Sequence, residues 1–336
     1  MNTRKLRDIE VSPIGMGCMG FSHGYGEIPN RDYSIEAIRK AYAFGCSFFD
    51  TAEAYGPNLL PENHGHNEKI VGEAVHDFRK EVVLATKLHL DTNEVMANGL
   101  ESVIRKHLEA SLKRLETDYA DIYYLHRINP DIPVENVAEV MGKLIKGGLI
   151  RGWGLSQVNV DTIDKANAVT PLSAIQNIYS MLERGVEESV IPYCLAHNIG
   201  IVPFSPIASG FLSGNVTANT DFSHSDDVRK FVPQLRKENM EANQPILELL
   251  NRYAKSKNVT KAQISLSWML HKYPNVVPIP GSKNQERILE NLGAWNVALT
   301  DNEFAELEAA LEKIPVHGHR GFVEQQGSSM KNWDRK

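Results

Sequence analysis

The chain has 336 residues, 42% of them hydrophobic and 23% charged, with a formal net charge of −6. That length admits one large α/β domain or two ordinary ones, the composition is that of a soluble protein with a sizeable core, and the negative balance argues against a general nucleic-acid surface. Cys18, Cys46 and Cys194 are too few and too scattered for a disulfide framework or a zinc site, and no stretch reads as a secretory leader or a membrane span. A reducing, cytoplasmic setting is expected, with no nucleic-acid or membrane partner, and the oligomeric state stays open.

In chain order, "MNTRKLRDIEVSP" reads as a short hairpin plugging the bottom of a barrel. Eight apolar runs follow: "IGMGCMG" (14–20), "CSFFDTA" (46–52), "VVLATK" (82–87), "DIYYLH" (121–126), "IRGWGLS" (150–156), "AIQNIYS" (174–180), "GIVPFSP" (200–206) and "VVPIPG" (276–281). Between them lie segments such as "ESVIRKHLEASLKRLE", whose apolar residues recur every three or four positions. Strands alternating with helices make a parallel sheet, and eight of them fit a single α/β domain of the (β/α)8 TIM-barrel class. Gly45 and Gly147 are expected as left-handed C-caps, Asn67 as an N-cap, and "TDNE" (300–303) as a capping box. Residues 206–243 form a long loop after the seventh strand, the kind of connection that serves as a lid. Residues 1–314 therefore read as the barrel and 315–336 as a tail without periodicity. Cys18, Cys46 and Trp295 are assigned to the core.

"GMGCMG" (15–20) matches the G-x-G-x-x-G of dinucleotide folds, but it runs into "FSHGYGEIPNRDY" instead of opening a helix, which is expected only after Asp32. A barrel strand with glycines where a ligand nears the backbone is the reading kept. His64 with His66, and His317 with His319, are too few ligands for a defined metal site.

Asp50, Lys87 and His126 each end an apolar strand, and Tyr55 stands in the loop rising from the first of these. In a (β/α)8 barrel such ends share one mouth. A lone buried lysine is more often a structural ion pair; four such groups arriving together favour a catalytic cluster. A free phenol has a pKa of about 10. An ammonium nearby favours phenolate, a carboxylate keeps that ammonium charged, and a net fall of about a unit or two is expected. Tyrosine then serves as a general acid while histidine holds a substrate oxygen. The set suits protonating a carbonyl oxygen while something else attacks the carbon, and a cofactor hydride is the natural complement. Met19, Phe21 and Tyr25, just past the first strand, line an apolar substrate wall or pack under a loop.

"FFDTAEAYG" followed by "HNEKIVGEAV", with the lysine of "VVLATK" and the histidine of "DIYYLHR", resembles the aldo-keto reductases, NAD(P)H-dependent carbonyl reductases built on this barrel. The resemblance runs from residue 14 to about 311. It implies that Tyr55 donates the proton, Lys87 lowers its pKa, Asp50 holds Lys87 and His126 orients the carbonyl. It further implies that Ser156, Gln157 and Gln176 bind a carboxamide and that Phe204 stacks on nicotinamide. Ser205, Ile207, Ser209 and Gly210 would wrap the pyrophosphate. "VPIPGSKNQERILENL" (277–292) is similar to the family's adenosine-phosphate site, implying Ser282, Lys283, Gln285, Arg287 and Asn291. Lys283 and Arg287 on a 2′-phosphate imply NADP(H), with NAD(H) the alternative. Gln157 stands where the family often has Asn, and Gly281 where it often has a basic residue. The family's C-terminal loop shapes the substrate pocket, which implies Phe322 and Trp333 over the mouth. The implied activity is reversible reduction of an aldehyde or ketone, a small molecule whose identity lies in loop shape. Two alternatives stay open: a cofactor-binding regulatory subunit on the same barrel, and physiological oxidation of a sugar or polyol.

Overall fold

A computed structural model describes residues 3–58 and 60–321, so the expectations for Phe322 and Trp333 lie outside the described residues. An antiparallel hairpin, β1 (Arg4–Leu6) and β2 (Ile9–Val11), comes first. Seven parallel strands follow, each paired with the next: β3 (Met16–Gly17), β4 (Phe48–Asp50), β5 (Val83–Leu88), β6 (Ala120–Leu125), β7 (Ile150–Ser156), β8 (Ala174–Gln176) and β9 (Gly200–Ile201). Residues 276–281 take the eighth place. Bridges Ile201–Val276 and Gly17–Gly281 join this segment to both edges and close the ring. It falls short of a regular strand because Pro278 and Pro280 have no N–H to give. The N–H groups just before each proline do pair: Val277 donates to the Ile201 carbonyl at 2.8 Å and Ile279 to that of Pro203 at 3.0 Å. The expected (β/α)8 barrel is therefore the fold, with its last strand punctuated by proline.

Helices α1 (Arg31–Ala43), α2 (His66–Val75), α3 (Thr92–Asn98), α4 (Leu100–Arg114), α5 (Val134–Lys146), α6 (Val160–Val169) and α7 (Val190–Ala196) follow the successive strands. After β9 come α8 (Lys237–Ala242), α9 (Gln244–Lys257) and α10 (Lys261–Lys272), and after the eighth place α11 (Gln285–Gly293) and α12 (Asp301–Leu311). Among the described residues no helix is long and apolar enough to cross a membrane. Thr300 and Glu303 form the expected capping box.

Several local expectations are corrected. Helix α1 starts at Arg31, because the Asn30 side chain accepts the Tyr33 N–H and caps it there. Gly147 is right-handed, and Gly148, at φ +72°, supplies the reversal. Asn67 is no cap, since α2 begins at His66 behind Gly65. Its buried amide instead donates to the Cys18 carbonyl and Ser22 Oγ and accepts from Thr51, clipping the loop after β3 to the loop after β4. Trp295 is half-buried at the core's edge, stacked on Phe44 at 5.7 Å. The close neighbours of Gly15 and Gly17 belong to the protein. An added Cβ would come within 2.5 Å of the Phe48 ring at Gly15 and within 2.9 Å of the Ile279 carbonyl at Gly17.

Leu6, Ile9 and Val11 of the hairpin pack inside the ring against Phe48, Val83, Ile122, Ala174, Val202 and Val277, closing its lower end with apolar surface. At the other end, the long connection after β9 folds into short turns of 3-10 helix and reaches the loop after β3. There Tyr25 bridges Asp227, and the Gly24 N–H donates to Asp226 at 2.8 Å. All three cysteines are buried thiols.

Candidate active site

Side chains alternate across each strand, so an apolar residue pointing into the ring predicts its neighbour two positions on. Phe48, Ala85, Tyr124 and Ala174 all lie in the cluster inside the ring. Two residues further toward the mouth stand Asp50, Lys87, His126 and Gln176. The alternation that fills the barrel thus carries four polar groups to its upper end.

They meet there. Lys87 is fully buried, and its ammonium donates to Asp50 Oδ1 at 2.5 Å, to the Thr51 carbonyl at 2.7 Å and to the Tyr55 hydroxyl at 3.3 Å. All three of its protons are used in charge-assisted bonds, the one to Asp50 being an ion pair. The second Asp50 oxygen accepts from Gln176 Nε2 at 2.8 Å. Gln176 therefore steadies the carboxylate, a contact its expected cofactor role did not include. The Tyr55 ring stands edge-on to His126 at 5.7 Å, and the His89 ring lies 4.3 Å from His126 on its other side.

Burial sets the protonation states. It raises the Asp50 carboxyl against the pull of Lys87. It also works to lower Lys87, yet Asp50 and Tyr55 together hold that ammonium above its ordinary value. For Tyr55, burial raises the phenol by more than Lys87 lowers it. The net direction is up, which corrects the expectation drawn from the lysine's charge alone. Burial, then Lys87 and Arg127, push His126 well below the usual histidine range, and its buried Nδ1 has no hydrogen-bond partner among the described residues. Burial takes His89 down to about 4. At neutral pH the cluster holds a protonated tyrosine beside a charged lysine, with two neutral imidazoles.

The cluster forms one wall of a cavity of about 760 Å³, which every expected site residue lines except Lys87, Phe21 and Gln285. Lys87 itself does not line the cavity, but two groups it bonds, Tyr55 and Asp50, do. Phe21 is fully buried, because a turn of 3-10 helix at Met19–Phe21 tucks it into the core beneath α1 and α2; Met19 and Tyr25 remain on the wall. Gln285 faces α1, donating to the Tyr33 carbonyl at 3.2 Å and accepting from Lys40 at 2.7 Å.

Two further regions of the wall suit an elongated anion. Ser205 (φ +53°), Ala208 (+48°), Ser209 (+55°) and Gly210 (+99°) are left-handed, and Ser209 Oγ is buried without a partner among the described residues. L-residues there cost roughly 1–2 kcal/mol each, and successive turned N–H groups make anion-binding concavities. At the other region Asn284 caps α11, and Arg287 is exposed with no ion pair among the described residues. Lys283 is engaged, donating to the carbonyls of Tyr25 at 2.7 Å and Glu27 at 2.6 Å.

His89, Arg127 and Arg320 also line the cavity and were missed by the sequence reading. His89 continues the alternation two places beyond Lys87, and Arg127 follows His126 directly, so both carried a signal. Arg320 lies in the aperiodic tail and carried none.

The Aldo/keto reductase family matches the chain over residues 13–312. The aldo-keto reductase yakc of Schizosaccharomyces pombe, named with NADP(+), is 35% identical over 328 residues, 95% of this chain and 94% of its own. A glycerol dehydrogenase from Gluconobacter oxydans superposes with a TM-score of 0.80 at 26% identity, over 93% of this chain and 95% of that one. An aldo/keto reductase from Klebsiella pneumoniae, solved with NADP and acetate, gives 0.69 at 28% identity, over 91% and 93%.

Proposed function

Because this chain belongs to the aldo/keto reductase family and is an oxidoreductase, we propose that it reduces an aldehyde or ketone to the alcohol with NADPH, with Tyr55 giving the proton. The observation that carries the reading is the single ammonium of Lys87 touching both Asp50 and the Tyr55 hydroxyl at the wall of a large cavity.

The residues present fit the cofactor. Phe204 would stack on the nicotinamide, with Ser156 and Gln157 at its carboxamide. The unpartnered Ser209 hydroxyl and the left-handed run around it would receive the pyrophosphate. Arg287, which pairs with no carboxylate among the described residues, would take the 2′-phosphate, and the names of the S. pombe and Klebsiella proteins support NADP over NAD. When bound, the reduced nicotinamide supplies the hydride that reduces the carbonyl carbon.

The chain's own residues manage the oxygen. As negative charge grows there, the Tyr55 hydroxyl donates its proton. The Lys87 ammonium stabilises the phenolate left behind; at about 4 Å and an effective dielectric near 20 such a pair is worth roughly 4 kcal/mol. Asp50 keeps Lys87 charged while it does so. Neutral His126 offers a ring N–H as a second bond to the same oxygen. The phenol is protonated at neutral pH with or without this shift; its raised pKa makes it a weaker acid, so the Lys87 ammonium has to carry the phenolate as the proton leaves.

A second reading, oxidation of a polyol, draws on the glycerol dehydrogenase's similarity. Titration with NADPH and NADH by protein fluorescence, followed by turnover assays on carbonyls and on polyols, tests both. Tight NADPH binding with carbonyl turnover is expected; turnover of polyols alone would favour the second reading, and failure to bind either cofactor would overturn both.

A further inference from the structure

Arg127 is half-buried and opens on the cavity beside His126 and Ser156. Its Nη1 donates to the His126 carbonyl at 2.5 Å and to Ser156 Oγ at 3.0 Å, which fixes the guanidinium plane. Nε and Nη2, one whole edge of the fork, meet no acceptor among the described residues, and no carboxylate pairs with the group. Arg320 opens on the same cavity and lies close enough for its charge to act on Arg127. Its Nε donates to Ser205 Oγ at 3.0 Å, and the acid near it is buried Glu183, which accepts the Arg320 backbone N–H at 3.4 Å. A guanidinium held partly out of water with no counter-charge is costly to keep, and its free edge matches the two oxygens of a carboxylate.

We infer that the substrate is an oxo-carboxylate, an aldehyde or ketone whose carboxylate seats on the free edge of Arg127, with Arg320 closing on it. This deepens the reductase reading and rests on it. Charge favours carboxylate over phosphate. Around the reacting centre Asp50 cancels Lys87 and Glu183 offsets Arg320, which leaves one positive charge, that of Arg127, to be matched. Position separates Arg127 from the cofactor's phosphates, whereas Arg320, bonded to Ser205, stands between the two. Arg127 stands past the end of β6, whereas the left-handed run and Arg287 follow the seventh and eighth barrel places.

The test compares kcat/KM for para-carboxybenzaldehyde and its uncharged methyl ester, with NADPH, in the wild type, Arg127→Met and Arg127→Lys. Benzoate binding, against a benzamide control, is measured separately by calorimetry without turnover. The wild type is expected to prefer the acid by about 10- to 100-fold. Arg127→Met should bring the ratio near one and abolish benzoate binding, and Arg127→Lys should restore part of both; the ratio cancels any general loss of activity. No preference in the wild type, or one that survives Arg127→Met, would overturn the proposal. So would weaker NADPH binding with an unchanged ratio, which would assign Arg127 to the cofactor. Benzoate binding through Arg127 with no turnover of either aldehyde would keep the anion site and sink the reductase reading; loss of both would sink both.

Discussion

At the bottom of the barrel the hairpin's Leu6, Ile9 and Val11 fill the ring, and the Arg4 guanidinium donates to the carbonyls of Leu270, Tyr273 and Val276. At the mouth the same strands end in a buried ion pair, His126 Nδ1 and Ser209 Oγ lack partners among the described residues, and Gln157, Ser205, Ala208 and Ser209 hold left-handed backbone. Left-handed residues occur at the bottom as well, at Arg7, Glu116 and Asn198, and Asn275 Oδ1 is buried there without a partner among the described residues; what sets the mouth apart is that its unpartnered His126 and Ser209 line one cavity beside the ion pair. Since strands and core are shared, the difference is local, and it fits an end built to receive a ligand.

Substitutions at the two ends should fail differently. Lys87→Met has the largest expected effect, because it leaves Asp50 as a buried, uncompensated charge. It should cost about 3–5 kcal/mol in stability and lower carbonyl reduction by at least about a hundredfold. Adding Asp50→Asn should recover stability without recovering rate, measured by denaturant melts beside steady-state assays; rate recovery would blur the distinction. Leu6→Ala at the bottom should cost about 2–5 kcal/mol with kcat of the folded fraction unchanged. A large fall in kcat there would mean the plug shapes the site.

Smaller effects sharpen the contrast within the mouth. Arg287→Ala should weaken NADPH by about 10- to 100-fold and leave NADH nearly unaffected. Lys283→Ala, which releases the loop at Tyr25 and Glu27, should weaken both cofactors; equal losses for the two in Arg287→Ala would remove the 2′-phosphate assignment. The smallest effect belongs to His107, on the outer layer, where it bonds Glu53 at 2.6 Å and Glu94 at 3.1 Å. The Glu53 bond raises its pKa in the folded state. The pair's stabilisation is thus fully present below the ordinary histidine value of about 6.5 and is lost as pH rises through the raised one. His107→Gln should be less stable than wild type by up to about 1 kcal/mol at low pH, and the two should converge as pH increases. Divergence with rising pH would refute the assignment.

The barrel was legible because apolar runs alternate with helical segments, and the polar cluster because Asp50, Lys87 and His126 each end such a run; the two-residue alternation that turns Phe48, Ala85 and Tyr124 inward explains why those ends meet. Positions set by loop geometry were not. Phe21 and Asn67 turn inward through the short helical turn after β3 and the early start of α2, and Gln285 is drawn to α1 by Lys40 and Tyr33. The direction of the Tyr55 shift depends on depth of burial, which periodicity does not carry. Arg320 needed the path of the tail back to the mouth.

The central claim is that Tyr55 donates the proton. Tyr55→Phe keeps the ring and removes only the hydroxyl, so the direct test is to mix the variant and the wild type with NADPH and a carbonyl the wild type reduces, following fluorescence for binding and the reduced nicotinamide's absorbance for turnover. The account predicts unchanged NADPH binding and turnover lower by about two to four decades. Turnover near that of the wild type would contradict it.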